Sequence, residues 1–147
     1  LSLKANPNLE SKPELNLEFN KDKLAKVLTH SYSPFSKFKV AACVQSASGA
    51  HYYGCNVENS TFGATICAER TAIVKMISEE GPLAKITKVY VLTKTDEPVT
   101  PCGICRQNIY EFLDDTKKDI DVTSFSKDFK IEKTFSLLKL FPEGFKL

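Results

Sequence analysis

The chain has 147 residues, 42% of them hydrophobic, with 20 basic and 18 acidic side chains and a net charge of +2. That size and apolar content suit one domain with its own core, and the intermixed charges lack the basic stripe of a nucleic-acid-binding surface. No apolar run approaches bilayer-spanning length, and five cysteines, an odd number, argue against a disulfide framework.

Residues 1–20 are rich in proline, asparagine and charge and read as a loosely ordered N-terminal arm ahead of a single domain over 21–147. From Lys21 the apolar residues Leu24, Val27 and Leu28 fall at helical spacing. That helix is expected to end near His30, because Ser33-Pro34 forces an extended backbone. Phe38 to Val44 reads as a strand, Ser48-Gly49 as a turn, and His51 to Asn56 as the returning strand. Residues 57–66 carry turn chemistry in Asn59, Ser60, Thr61 and Gly63. Cys67 to Glu80 has one apolar stripe (Ala68, Ala72, Ile73, Met76, Ile77) and reads as a helix closed by Gly81-Pro82. Lys88 to Thr93 is a short strand, Thr95 to Thr100 a polar loop, and Cys102 to Leu113 a further helix. Ile120 to Phe125 and Phe129 to Phe135 are strand candidates, and Ser136 to Leu140 a short terminal helix. Strands separated by helices imply some parallel pairing and helices on both faces. The expected fold is α/β, a three-layer α-β-α sandwich around a five-stranded mixed sheet.

Two segments carry chemistry: Cys67-Ala68-Glu69-Arg70 and Pro101-Cys102-Gly103-Ile104-Cys105-Arg106-Gln107. Each opens a predicted helix, where side chains tilt forward past the N-terminus. Cys67 from one helix start, with Cys102 and Cys105 one turn apart on the other, can grip one zinc ion, leaving a fourth position for water. Three thiolates and Zn²⁺ sum to one negative charge. Two helix N-termini, each worth about half a positive charge, would offset it, and Arg70 would help by donating hydrogen bonds to cysteine sulfur. Glu69, two residues from a ligand, is placed to move protons to and from a metal-activated water rather than bind metal. Thiolate ligands require a reducing compartment. Taken singly, CxxC suggests a redox pair, Cys67 a buried small residue and Glu69 an exposed helix-start acid; the set together favours the metal site.

Cys-x-Glu followed by Pro-Cys-x-x-Cys is the signature of zinc-dependent base deaminases, so the mechanism is carried by that resemblance. The sequence resembles the small homotetrameric cytidine deaminases from Leu24 to Phe145. The strongest stretches are residues 31–40, Gly54-Cys55-Asn56-Val57-Glu58-Asn59 and the two segments above. The resemblance implies a cytidine-deaminase-like fold, one zinc per chain and hydrolysis of cytidine and deoxycytidine to the uridines in pyrimidine salvage. It implies that Phe38 packs against the pyrimidine and that Asn56 and Glu58 bond the sugar hydroxyls, Glu58 the 3′-hydroxyl. It also implies that the backbone around Ala68 reads the base, and that Phe145, in a Leu-x-Pro-x-x-Phe tail, closes a neighbouring subunit's pocket in a homotetramer. Cytoplasmic location follows from the thiolates, with a small nucleoside rather than nucleic acid or membrane as partner. Ala41-Ala42 and Phe62 depart from the family pattern, Phe62 by losing a hydroxyl at a subunit contact.

Three other functions compete. A deaminase of a cytosine-bearing antibiotic would have less use for Asn56 and Glu58. A polynucleotide-editing deaminase usually places His at the position of Cys67 and needs a basic track. A structural zinc module has no use for Glu69 beside an open metal position.

Overall fold

The structure is a computed structural model that describes residues 17–116 and 118–147. Most of the N-terminal arm, residues 1–16, therefore lies outside the described residues. Its last residues lie against the domain: Phe19 stacks on Tyr90 with ring centroids 3.8 Å apart, and the Asn20 side chain caps helix α1 (Lys21–Thr29) by accepting from the Lys23 N–H.

The strands are β1 (Val40–Ser46), β2 (His51–Cys55), β3 (Ile86–Thr93), β4 (Asp121–Phe125) and β5 (Glu132–Ser136). They form one sheet in the order β2-β1-β3-β4-β5. Only β3 and β4 pair in parallel; the other three pairs are antiparallel. Helices α2 (Ala68–Glu80), α3 (Gly103–Glu111) and α4 (Leu137–Leu140) complete the domain. The expected five-stranded mixed sheet is thus present.

Alternation along the strands makes the three layers. Val44 of β1 and Val89 and Val91 of β3 face α2 and α3, where they pack with Ile73, Met76 and Ile109. Ala41 and Cys43 of β1 and Leu92 of β3 face the other way, against Leu24 and Leu28 of α1. Gly54 faces the α2 layer at very close range. A Cβ there would lie 2.6 Å from the Ala72 amide nitrogen and 2.9 Å from the Ala68 carbonyl oxygen. The missing side chain therefore lets the first turn of α2 rest on β2.

Several strand boundaries differ from the expected ones: β3 begins two residues earlier, at Ile86, and β2 and β4 each lose one terminal residue, Asn56 and Ile120; two further differences have identifiable reasons. Phe38 stands outside β1, because the Asn56 side chain takes the place of a strand partner: its amide donates to the Phe38 carbonyl at 2.8 Å and accepts from the Val40 N–H at 2.9 Å. Phe129 lies in a turn with a positive φ of 59°, closed by the Ser126 N–H to Ile131 carbonyl bond. Its ring packs on Phe125. The strand therefore starts only at Glu132.

Candidate active site

The carboxyl end of β3 is where ligand crevices open in α/β sheets. Here Thr93 of β3 pairs with Val40 at the start of β1, and the N-termini of α2 and α3 converge on the same edge. They form a cleft of about 440 Å³ whose lining includes Phe38, Asn56, Glu58, Cys67, Glu69 and Cys102. Residues separated by more than 60 positions thus share one wall. Ser36, Val40 and Thr93 line it as well, and Thr65, Val91, Val99 and Thr100 complete it; the sequence offered no signal for these last four beyond their proximity to recognised segments.

Cys67 and Cys102 are the residues that precede α2 and α3, and neither side chain caps its own helix. Both thiols are free to face outward, and Cys105, buried inside the first turn of α3, joins them. The three sulfurs lie within 4.8 Å of one another, with Cys67 and Cys102 3.9 Å apart. A tetrahedral ion with zinc–sulfur bonds of about 2.3 Å spaces its sulfurs about 3.8 Å apart, so the Cys67–Cys102 pair already has that spacing and the third sulfur lies within a small side-chain adjustment of it. Cys67 is the readiest thiolate: hydrogen bonding from Cys105, and then from Cys102 and Arg70, brings it down to about 5 against the opposing effect of burial. Cys105, which supplies that proton and sits beside Glu69, is held high. The Arg70 guanidinium also donates to the Thr65 carbonyl at 2.6 Å, while its Nε is buried with no partner among the described groups.

Glu69 is only 4% exposed. Burial pushes its carboxyl above the ordinary range. The Cys67 charge adds to that rise, and the Glu69 backbone N–H and the Cys105 thiol offset it only in part. It has the environment of an acid that can hold a proton, beside a metal site and facing a cleft.

Glu58 lines the same cleft in the opposite environment. Its carboxylate accepts from the Phe35 N–H at 2.8 Å, the Ser36 N–H at 3.2 Å and the Ser36 hydroxyl. Donation from Ser36 holds the carboxyl below the usual range, against a smaller upward push from burial, with help from the two backbone N–H groups and the Lys37 charge. Lys37 has a φ of 57°. Its left-handed conformation closes the turn in which successive N–H groups point at one anion. Asn56 is committed too: besides Phe38 and Val40, it accepts from the Ser31 hydroxyl at 2.5 Å. The polar groups expected to meet a sugar therefore also hold the loop that carries Phe38.

Ala68 is fully buried in the first turn of α2. Phe145 stands apart from this cleft: it is 68% exposed, with its carbonyl held by the Gln107 amide. Phe141 instead folds back onto Tyr110. Phe62 is 73% exposed and meets Phe35 edge to face. Arg106 is a residue that the sequence left without a role. Its guanidinium donates to the Pro101 carbonyl (2.7 Å), the Leu140 carbonyl (2.8 Å) and the Thr100 hydroxyl (2.9 Å), tying the approach to Cys102 to the C-terminal helix.

Residues 17–118 match the family profile described as the cytidine and deoxycytidylate deaminase zinc-binding region. The chain is 40% identical over 134 residues to a cytidine deaminase of Mycoplasma pneumoniae, covering 90% of this chain and 96% of that one. It is 38% identical over 133 residues to the cytidine deaminase of Mycoplasma genitalium, covering 90% and 98%. Among solved structures it resembles a cytidine deaminase from Burkholderia pseudomallei, with a TM-score of 0.71 at 29% identity, covering 86% of this chain and all of that one.

Proposed function

The chain belongs to the cytidine and deoxycytidylate deaminase zinc-binding family, and from that premise we propose that it hydrolyses cytidine and deoxycytidine to uridine and deoxyuridine, releasing ammonia, in pyrimidine salvage. The observation that carries this reading is the meeting, in one cleft, of three converging thiols, a buried carboxyl and a donor-fixed carboxylate.

Cys67, Cys102 and Cys105 would hold the zinc ion, which would supply the Lewis acidity that makes water a nucleophile at neutral pH. The Glu69 carboxylate takes a proton from the attacking water and delivers it to the pyrimidine N3 as the amine-bearing carbon is attacked. It then carries a proton to the exocyclic nitrogen, which leaves as ammonia. The atoms balance: water's oxygen becomes the new carbonyl, and its two protons end on nitrogen. Arg70 offsets the thiolate charge from beside Cys67.

Phe38 packs against the base, and the backbone at Ala68 reads its carbonyl and amine. Asn56 has one amide hydrogen left after bonding Phe38. Glu58, with three donors on about four acceptor sites, keeps room for one more. Both are thereby suited to the 3′-hydroxyl region common to the two nucleosides. The exposed rings of Phe62 and Phe145 support a homotetramer in which Phe145 completes a neighbour's cleft. Unpaired thiols support a reducing, cytoplasmic setting, and among the described residues no helix is long and apolar enough to cross a membrane.

The test is direct. Zinc-loaded protein is mixed with cytidine or deoxycytidine, and the loss of the cytosine absorbance is followed together with ammonia. Equimolar uridine and ammonia are expected. Folded, zinc-loaded protein that leaves both nucleosides intact would overturn the reading.

A further inference from the structure

The turn between α1 and β1 has one side chain that touches both halves of the cleft. The Ser36 hydroxyl donates to a Glu58 oxygen and accepts from the Phe38 N–H at 3.0 Å. It lines the cleft itself. The other two donors to Glu58 are backbone N–H groups fixed by the turn, so Ser36 supplies the only side-chain donor to that carboxylate among the described groups. The turn is held independently of this hydroxyl: the Lys37 N–H bonds the Ser33 carbonyl at 3.1 Å, and the Glu58 N–H bonds the Tyr32 carbonyl at 2.8 Å. Removing one oxygen therefore leaves the turn standing and cuts only the two hydrogen bonds that join Glu58 to Phe38 through it.

We infer that Ser36 is a positioning residue that couples the sugar-binding carboxylate of Glu58 to the base-packing residue Phe38. The inference rests on the reading in which Glu58 meets the sugar and Phe38 the base. By donating to one oxygen of Glu58, Ser36 fixes the carboxylate plane so that its remaining acceptor site faces the cleft. By accepting from Phe38, it ties the ring's backbone to the same point. A nucleoside engaging both ends meets a preformed spacing between base and sugar contacts and does not have to order it on binding.

The experiment compares wild type, Ser36→Ala, Ser36→Thr and Glu58→Gln as zinc-loaded enzymes, with cytidine and 3′-deoxycytidine as substrates. Ser36→Ala is expected to raise KM for cytidine about 2- to 10-fold, the cost of ordering the Glu58 side chain on binding, with kcat within about twofold of wild type. Its preference for cytidine over 3′-deoxycytidine should fall toward that of Glu58→Gln, and Ser36→Thr should restore both. A second arm needs no turnover. The Glu58 carboxyl, followed by carbon NMR, should titrate at higher pH in Ser36→Ala than in wild type. An unchanged KM, equal losses on the two substrates, or failure of Ser36→Thr to rescue would overturn the coupling. Wild type that turns over cytidine without preferring it to 3′-deoxycytidine would overturn the role given to Glu58, and the inference with it. Wild type inactive on both would overturn the deaminase reading.

Discussion

Glu58 and Glu69 line one cleft and could hardly be treated more differently. Glu69 lies at the start of α2, buried, with its carboxyl driven upward. Glu58 lies in a loop, surrounded by N–H and O–H donors that keep it ionised. Two carboxyls whose surroundings push their proton affinities apart are suited to different work, one to carrying protons and the other to accepting a fixed hydrogen bond. The fold makes the difference. Gly54 seats the first turn of α2 directly on β2, which buries Glu69, while the left-handed Lys37 turns the 33–37 backbone toward Glu58.

The comparison can be broken on the metal side first. Cys102→Ala leaves Cys67 and Cys105, too few to hold zinc, so zinc measured on the folded protein should fall from one per chain to near none and turnover should become undetectable. Full activity without zinc would show that the thiol trio has another purpose. On the carboxylate side, Glu58→Gln should raise KM for cytidine by about 10- to 100-fold, corresponding to the loss of a hydrogen bond to a charged group, with zinc retained. Because Glu58 also anchors the turn that carries Phe38, the free base should lose some affinity as well, but less than the nucleoside. Truncation before Phe145 should raise KM by about 2- to 10-fold through lost stacking, with zinc content unchanged. An active monomer in sedimentation at assay concentration would remove the shared site. The smallest effect is on stability. A carboxylate with a lowered proton affinity contributes stability that is present above its unfolded pKa, about 4.3, and is lost as pH falls through its folded value. The Tm difference between wild type and Glu58→Gln should therefore hold from neutral pH down to that range and shrink below it; a difference that grows in acid would contradict the assignment.

The metal half of the site was legible in the sequence because it is local. Cys67, Glu69, Cys102 and Cys105 sit at two helix starts, and helix starts are marked by spacing and by punctuation such as Pro101. The succession of strands separated by helices likewise foretold a sheet covered on both faces. The loop half was harder to read. That Asn56 stands in for a strand partner of Phe38 depends on a side chain 18 positions away, and no local pattern reports it. Phe129 looks like a strand residue by composition, yet its backbone turns left-handed while its ring stays packed on Phe125. Arg106 looks like one more exposed helix cation until the Leu140 carbonyl arrives from 34 residues downstream.

Glu69→Gln tests the central claim most directly, because it removes the carboxylate proposed to carry protons while keeping shape and burial. Zinc content and kcat for cytidine would be measured on the same preparation, beside Glu58→Gln. The account predicts one zinc per chain in both variants and a kcat for Glu69→Gln lower by about 10²–10⁴-fold, whereas Glu58→Gln loses chiefly in KM. A zinc-loaded Glu69→Gln enzyme that keeps most of its kcat would contradict it.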